Sequence, residues 1–249
     1  MRNIEQWVPS KYVLKGAKLV ASSDRAEVSI ASRLLTNRVA AAYQRHLSQY
    51  CHGRLLDLGC GRVPLYVAYR QFVNINICVD WANTLHGKLF LDFECDLRRP
   101  LPFRDSEFDV VVLSDVLEHI PTPEALLREI ARVLVSDGTL MMSVPFLYWV
   151  HETPHDYYRY TEFGLRYLLG AAGLDVVVVE RLGGIPEVIA DLLAKGLINF
   201  PVVGRSIANA VQGVCDLLGR FHRFAHYSQR SSEIFPLAYF VVARKRHSG

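Results

Sequence analysis

The chain reads as an α/β protein with a mostly parallel sheet covered on both faces, and three features of the sequence predict this. Short apolar runs such as Arg54–Leu58 and Phe108–Ser114 suit strands buried on both sides. Amphipathic helical patterns alternate with these runs along the chain. The first run stops at Gly59-Cys60-Gly61, and in such sheets ligands sit at the carboxyl ends of strands.

The elements follow in order. The first twenty residues are irregular and read as an arm. Asp24 to Tyr50 reads as a helix, with Asp24 as N-cap, Glu27 three residues on, and Val28, Leu35, Val39, Ala42 and Leu47 at rough helical spacing. Residues 1–52 thus form an N-terminal arm and helix, and residues 53–249 the main domain. Strands are predicted at Arg54–Leu58, Asn74–Asp80, Lys88–Phe93 and Phe108–Ser114. Pro123–Val135 is a helix with proline at its start, and Ser136-Asp137-Gly138 turns into a strand at Thr139–Val144. Thr161 caps a helix to Ala172, Gly173 closes it, and Leu174–Glu180 and Ile234–Ala243 are the last strands. About fifty residues separate those two strands, too many for an ordinary crossover. This insertion, at about 185–230, reads as two amphipathic helices broken around Phe200-Pro201 and followed by basic, aromatic-bearing residues (Arg220, His222, Arg223, His226, Arg230).

Bulk properties narrow the class. With 249 residues, 51% of them apolar, the chain can bury a sizeable core without staples. Five scattered cysteines, with no Cys-x-x-Cys pair, argue against a disulfide framework and fit a reducing compartment. No signal-like or membrane-spanning apolar run is present, so the expected location is the cytoplasm. Residues 1–185 hold 20 basic and 21 acidic side chains, whereas residues 186–249 hold 8 and 4. That basic bias suits an anionic membrane surface or nucleic acid, and peripheral membrane contact through the insertion is the sharper expectation beside a lid or a dimer surface.

Two glycines at the end of the first strand permit a tight turn and close approach of a ligand. Asp80 ends the second strand nineteen residues after Gly61, where an acid can accept both ribose hydroxyls of an adenosine. The third glycine of a dinucleotide fingerprint is replaced by Arg62-Val63-Pro64, which argues against a nicotinamide dinucleotide. Asp57–Gly61, Leu101–Phe103, Phe108–Asp109, Leu117–His119 and Arg132–Gly138 form an ordered series. Over roughly residues 53–182 it resembles the class I, Rossmann-like methyltransferases of the type 11 group. That resemblance implies S-adenosylmethionine as cofactor and a sheet whose last strand is antiparallel. By position it implies that Gly59 and Gly61 pass under the methionine part and that Asp57 holds its amino group directly or through water. Asp80 would bind the ribose, Trp81 stack on the adenine, Asp96 and the Leu97 backbone meet the adenine edge, and Ser114 lie beside the cofactor.

The fifth strand leads into His151-Glu152-Thr153-Pro154-His155-Asp156-Tyr157-Tyr158-Arg159-Tyr160. His151 to His155 matches a zinc pattern that works only on a helix, and Pro154 opposes that helix, so no metal is expected from it. The loop reads instead as the acceptor side, with His151, His155 and His119 as candidate bases and Asp156 or Glu152 as an orienting partner. Its pattern resembles methyltransferases of polysaccharide and glycolipid biosynthesis, which implies O-methylation of a sugar, glycan or glycolipid. Alternatives are N- or C-methylation of a small metabolite or quinone-type ring, and a non-catalytic cofactor-binding subunit of a glycan-assembly complex. A nucleic-acid partner is not expected, because no base-flipping motif is present. A homodimer remains an open partner.

Overall fold

The computed structural model describes residues 1–247. Seven strands form one sheet: β3 (Gly53–Leu58), β4 (Val73–Asp80), β5 (Phe93–Glu94), β6 (Phe108–Ser114), β7 (Leu134–Pro145), β8 (Leu174–Leu182) and β9 (Ala238–Lys245). Their spatial order is β5-β4-β3-β6-β7-β9-β8, and every pairing is parallel except those of β9, which is antiparallel to both neighbours. The predicted mostly parallel sheet with an antiparallel last strand is therefore present.

Strand periodicity divides the core in two, because successive side chains point to opposite faces. On one face Leu55, Val110, Val112, Met141, Phe240 and Val242 pack against Val39, Tyr43 and Leu47 of α1 (Arg33–Tyr50). Opposite them, Leu56, Leu58, Val111, Leu113, Leu140 and Val241 pack against α3 (Pro123–Val133) and α4 (Glu162–Ala171), through Leu126, Leu127, Ile130, Leu165 and Leu169. The N-terminal helix is thus built into the same core as the sheet.

Several elements differ from expectation. The first helix starts at Arg33; Asp24 caps only a turn, its Oδ1 accepting from the Ala26 amide at 2.9 Å, and Ser29 caps the 3-10 turn Ile30–Ser32. The arm contains a hairpin, β1 (Tyr12–Lys15) and β2 (Lys18–Ala21), turned at Gly16 with φ 61° and packed on α1 by Leu19. A two-strand ribbon with one buried face carries too short an alternation to stand out. Lys88–Phe93 is almost entirely loop, with only Phe93–Glu94 pairing. After the glycine loop, α2 (Tyr66–Tyr69) is a single turn. The expected turn at residues 136–138 is a bulge inside β7, with Asp137 at φ 61° and a register jump between Phe108↔Leu134 and Val110↔Thr139. The last strand begins at Ala238, four residues later than expected.

The insertion holds three helices rather than two: α5 (Ile185–Leu197), α6 (Gly204–Leu218) and α7 (His222–Ser231). The basic residues His222, Arg223, His226 and Arg230 lie on α7. Gln212 ties α6 to the start of α1, its side chain accepting from the Leu34 amide at 2.8 Å and donating to the Ala31 carbonyl. Buried Glu187 joins four segments: its carboxylate accepts from the Gly184 amide at 2.9 Å and Ser228 Oγ at 2.6 Å, and faces Arg38 at 3.3 Å. Glu187→Ala leaves these donors without their acceptor and should lower unfolding free energy by about 3 kcal/mol, read by urea denaturation.

Candidate functional site

A cavity of about 1120 Å³ opens at the carboxyl ends of β3, β4, β6 and β7. At its first end the β3–α2 turn is held by the Val79 carbonyl, which accepts from the Gly59 amide at 2.8 Å and the Cys60 amide at 3.1 Å. Gly59 sits at φ 68°, and a Cβ there would lie 2.5 Å from Val116 Cγ2, so position 59 admits only glycine without movement. Buried Asp80 accepts from the Gly61 amide at 3.0 Å, the Trp81 amide at 2.8 Å and Thr84 Oγ1 at 3.0 Å. It therefore fixes the loop as well as facing the cavity.

The sequence-predicted residues fall unevenly. Gly59, Gly61, Asp80, Trp81, Asp96, Leu97 and Ser114 all line the cavity. Asp57 does not: it is buried behind the loop, accepting from the Tyr69 hydroxyl at 2.9 Å, and burial pushes its carboxyl up to about 7 despite that bond. Any hold it has on a ligand would pass through the loop or water. Asp96 is gripped by Arg98 through Nε at 2.9 Å and Nη2 at 2.8 Å, which lowers its pKa, so an incoming donor would share that carboxylate. The Trp81 ring meets His155 edge-on, centroids 5.2 Å apart, rather than a free surface.

The opposite end is polar. The turn Leu117–His119, just past β6, and the loop after β7 bring Glu118, His119, His151, Glu152 and His155 to the same cavity. The loop is sewn to the turn: the Glu118 carbonyl accepts from the Tyr157 amide at 2.9 Å, and the Leu117 carbonyl from the Tyr160 hydroxyl at 3.1 Å. Asp156 is locked by Arg159, Nη1 at 2.6 Å and Nη2 at 2.8 Å, and these bonds hold its carboxyl well below the usual range. Asp156 also accepts from the His151 amide at 2.9 Å. It positions the loop and stands against His151, the place of the orienting partner that the sequence suggested. Burial, followed by the neighbouring His119, lowers the His151 pKa. Residues 151–155 are not helical, so the zinc-motif geometry that the pattern requires is not formed.

Three contributors were missed. Glu118 lies fully buried at the cavity floor, where burial, reinforced by Asp115, pushes its carboxyl well above the usual range. Lys11 of the arm pairs with Asp115 at 2.8 Å; burial opposes its charge, but Asp115 holds its pKa above the ordinary lysine value. Ser143 Oγ donates to Asp115 at 2.8 Å and lies 3.1 Å from Ser114 Oγ. Glu118 was visible in Leu117–His119 as an acid beside the histidine; nothing in the sequence brings Lys11 to Asp115.

No residue of α5–α7 lines the cavity among the described residues, so the lid reading of the insertion is not what the structure forms. The helices act on it indirectly. Lys195, paired with buried Asp191, stands 3.7 Å above the Tyr148 ring, and Tyr148 lines the cavity and bonds Ser32 at 2.7 Å.

Comparisons with known proteins agree with this geometry. Residues 56–142 match the methyltransferase-domain family. An uncharacterised protein of Methanocaldococcus jannaschii is 34% identical over 90 residues, covering 36% of this chain and 40% of that protein. The ubiquinone biosynthesis O-methyltransferase of Marinobacter nauticus is 28% identical over 121 residues, covering 44% and 47%. The chain thus spans less than half the length of either relative. Among solved structures, a methyltransferase in complex with the Haloferax volcanii Trm112 activator gives a TM-score of 0.57 at 18% identity, covering 88% of this chain and 95% of that one. An S-adenosylmethionine-dependent methyltransferase of Archaeoglobus fulgidus gives 0.54 at 20% identity, covering 86% and 97%. The fold is that of the class I, Rossmann-like methyltransferases.

Proposed function

We propose that the chain transfers the methyl group of S-adenosylmethionine to a hydroxyl of a sugar, glycan or glycolipid. The observation that carries this reading is one cavity with two chemically distinct ends, a glycine loop with two carboxylates at one and histidines with glutamates at the other. When bound, the cofactor supplies an electrophilic methyl on a sulfonium. In this reading Gly59 and Gly61 admit the methionine part, Asp80 accepts the ribose hydroxyls, Trp81 flanks the adenine, and Asp96 and Leu97 meet its edge. Asp57 contributes from behind the loop.

At the other end the residues hold the acceptor oxygen in line with the methyl group, and such alignment is worth up to about 7–11 kcal/mol. A hydroxyl also needs a base. His155 lines the cavity at the boundary of the two ends, edge-on to Trp81, with Nδ1 3.1 Å from the Tyr157 hydroxyl. We assign it as the proton acceptor. His119 and His151 stand together around Glu118, with ring centroids 4.7 Å apart. The name of the Marinobacter relative favours a hydroxyl acceptor over a nitrogen or carbon one.

The outer face of the insertion favours a lipid-linked acceptor. Leu192, Val202, Val214 and Leu217 are all more than half exposed, and Arg223 and Arg230 follow on α7. An apolar helical face beside basic residues suits the interface of an anionic bilayer. Among the described residues no helix is long and apolar enough to cross a membrane, so the contact would be peripheral.

Three measurements test these assignments. Methyl-labelled cofactor incubated with host extract should place label in the organic phase, released by acid hydrolysis as a methylated sugar. Aqueous methyl sugars would make the acceptor soluble and the apolar face a surface between copies; label absent from carbohydrate overturns the acceptor class. Asp80→Ala should weaken S-adenosylhomocysteine binding about 10²-fold or more in calorimetry, the loss of two bonds to a carboxylate. Near-normal affinity would refute the ribose assignment. His155→Ala should keep that affinity and cut turnover about 10²–10⁴-fold; unchanged turnover places the base elsewhere.

A further inference from the structure

We propose that Glu118, His119 and His151 bind a divalent transition-metal cation at the acceptor end of the cavity. One carboxylate oxygen and one nitrogen from each histidine all lie within 4.8 Å of one another. Glu118 Oε1 is 3.8 Å from His119 Nε2 and 3.9 Å from His151 Nε2. Cation–ligand bonds of roughly 2.0–2.2 Å place ligand atoms about 3.4 Å apart in a tetrahedral site, so each histidine needs to draw toward Glu118 by some tenths of an ångström and the two histidine nitrogens toward each other by up to about 1.4 Å.

The electrostatics of the cluster call for a positive centre. Glu118 is 0% exposed, and neither of its carboxylate oxygens has a hydrogen-bond partner. His119 Nε2, also buried, is unpartnered and aimed at the same point. An isolated buried carboxylate is costly, and buried polar groups in proteins are nearly always bonded. A cation among these atoms would satisfy Glu118 and His119 together.

The outer contacts fit the same assignment. Ligating histidines characteristically use their second ring nitrogen to donate to a carbonyl or carboxylate, which fixes tautomer and ring direction. His119 Nδ1 is 2.8 Å from the His155 carbonyl, an acceptor only, so Nδ1 carries the proton and Nε2 presents its lone pair to the cluster. His151 Nδ1 lies 3.3 Å from Asp156 without a hydrogen bond to it, while the His151 amide donates to Asp156 at 2.9 Å and Nε2 lies 3.9 Å from Glu118. The site is therefore distinct from the i, i+4 zinc pattern: His155 gives its backbone carbonyl, not its ring. Glu152 Oε2, 4.0 Å from His119 Nε2, is within reach of a fourth position. Two imidazoles and one carboxylate favour the zinc, manganese and iron class over magnesium or calcium, whose sites are built of oxygen.

The role of this cation rests on the hydroxyl-acceptor reading above. All three ligands line the cavity, so its remaining positions face the acceptor. A hydroxyl bound there becomes more acidic and is held in place. Its proton passes to His155; its electron pair forms the O–CH3 bond as the S–CH3 bond breaks. The positive charge lost by sulfur leaves as that proton, and the cation ends unchanged.

Metal binding is tested without any acceptor. The full-length protein is stripped with chelator and titrated by calorimetry with Mn²⁺, Zn²⁺ or Mg²⁺ alone, and separately with S-adenosylhomocysteine. One Zn²⁺ or Mn²⁺ per chain should bind, with Mg²⁺ much weaker. His119→Ala and His151→Ala should each weaken metal binding about 100-fold or more, since even outer-shell changes cost 10–100-fold. Both should keep S-adenosylhomocysteine affinity, which also reports that they fold. Glu118→Gln, similar in shape and uncharged, should show the same loss. Absence of stoichiometric binding, equal affinity for Mg²⁺, or unaltered binding in the histidine variants overturns the site. Failure of S-adenosylhomocysteine to bind the wild-type protein would overturn the methyltransferase reading while leaving the metal result standing.

Discussion

The antiparallel placement of β9 is the constraint from which the working geometry follows. Leu182 at the end of β8 is paired with Ala238 at the start of β9, and the Leu237 amide donates to the Leu182 carbonyl at 2.9 Å. The chain therefore leaves and returns at one point, and that point lies at the carboxyl end of the parallel strands. Whatever is inserted there must stand on the ligand side of the sheet. Here it is α5–α7, which meet α1 through Arg38, Glu187 and Gln212. Helix α1 in turn contributes Leu35, Thr36 and Val39 to the cavity wall.

Charge is distributed along the cavity with the same economy. At the cofactor end, each carboxylate already has local donors: Gly61, Trp81 and Thr84 for Asp80, Arg98 for Asp96. Such groups are preorganised as acceptors, with little left to rearrange when a ligand arrives. Midway, Lys11 neutralises Asp115. Only at the acceptor end does a buried carboxylate, Glu118, stand without a donor. The contrast within one cavity makes Glu118 informative: its neighbours show that this protein satisfies its buried acids wherever a cofactor's uncharged groups are expected.

Much of the fold was legible because burial on both faces leaves an unmistakable mark. Phe108–Ser114 was placed at its observed bounds for that reason, and Thr161 as a cap was right to the residue, its Oγ1 accepting from the Gly164 amide at 3.1 Å. Elements with one buried face were less visible, as the β1–β2 hairpin shows. The site divides in the same way. Gly59, Gly61 and Asp80 could be read because local backbone geometry demands them at the ends of β3 and β4. Lys11 and the surroundings of Glu118 could not be read, since Asp115 and His151, which stand beside them, are distant in sequence and brought there only by packing. Asp156 could be read as an orienting carboxylate, and Arg159 three residues on as its partner, because both lie in the same short loop.

The cavity walls come from two sources. Its cofactor end is built within residues 56–142, while much of the acceptor side is supplied by the arm and α1 (Lys11, Ser29, Ser32, Leu35) and the loop after β7 (Tyr148, Trp149, His151). Of the groups at the histidine-bearing end, Glu118 and His119 fall inside the matched segment, whereas His151, His155 and the arm fall outside it. Any comparison of what such chains act on therefore has to read residues 118 and 119 together with those on either side of the segment.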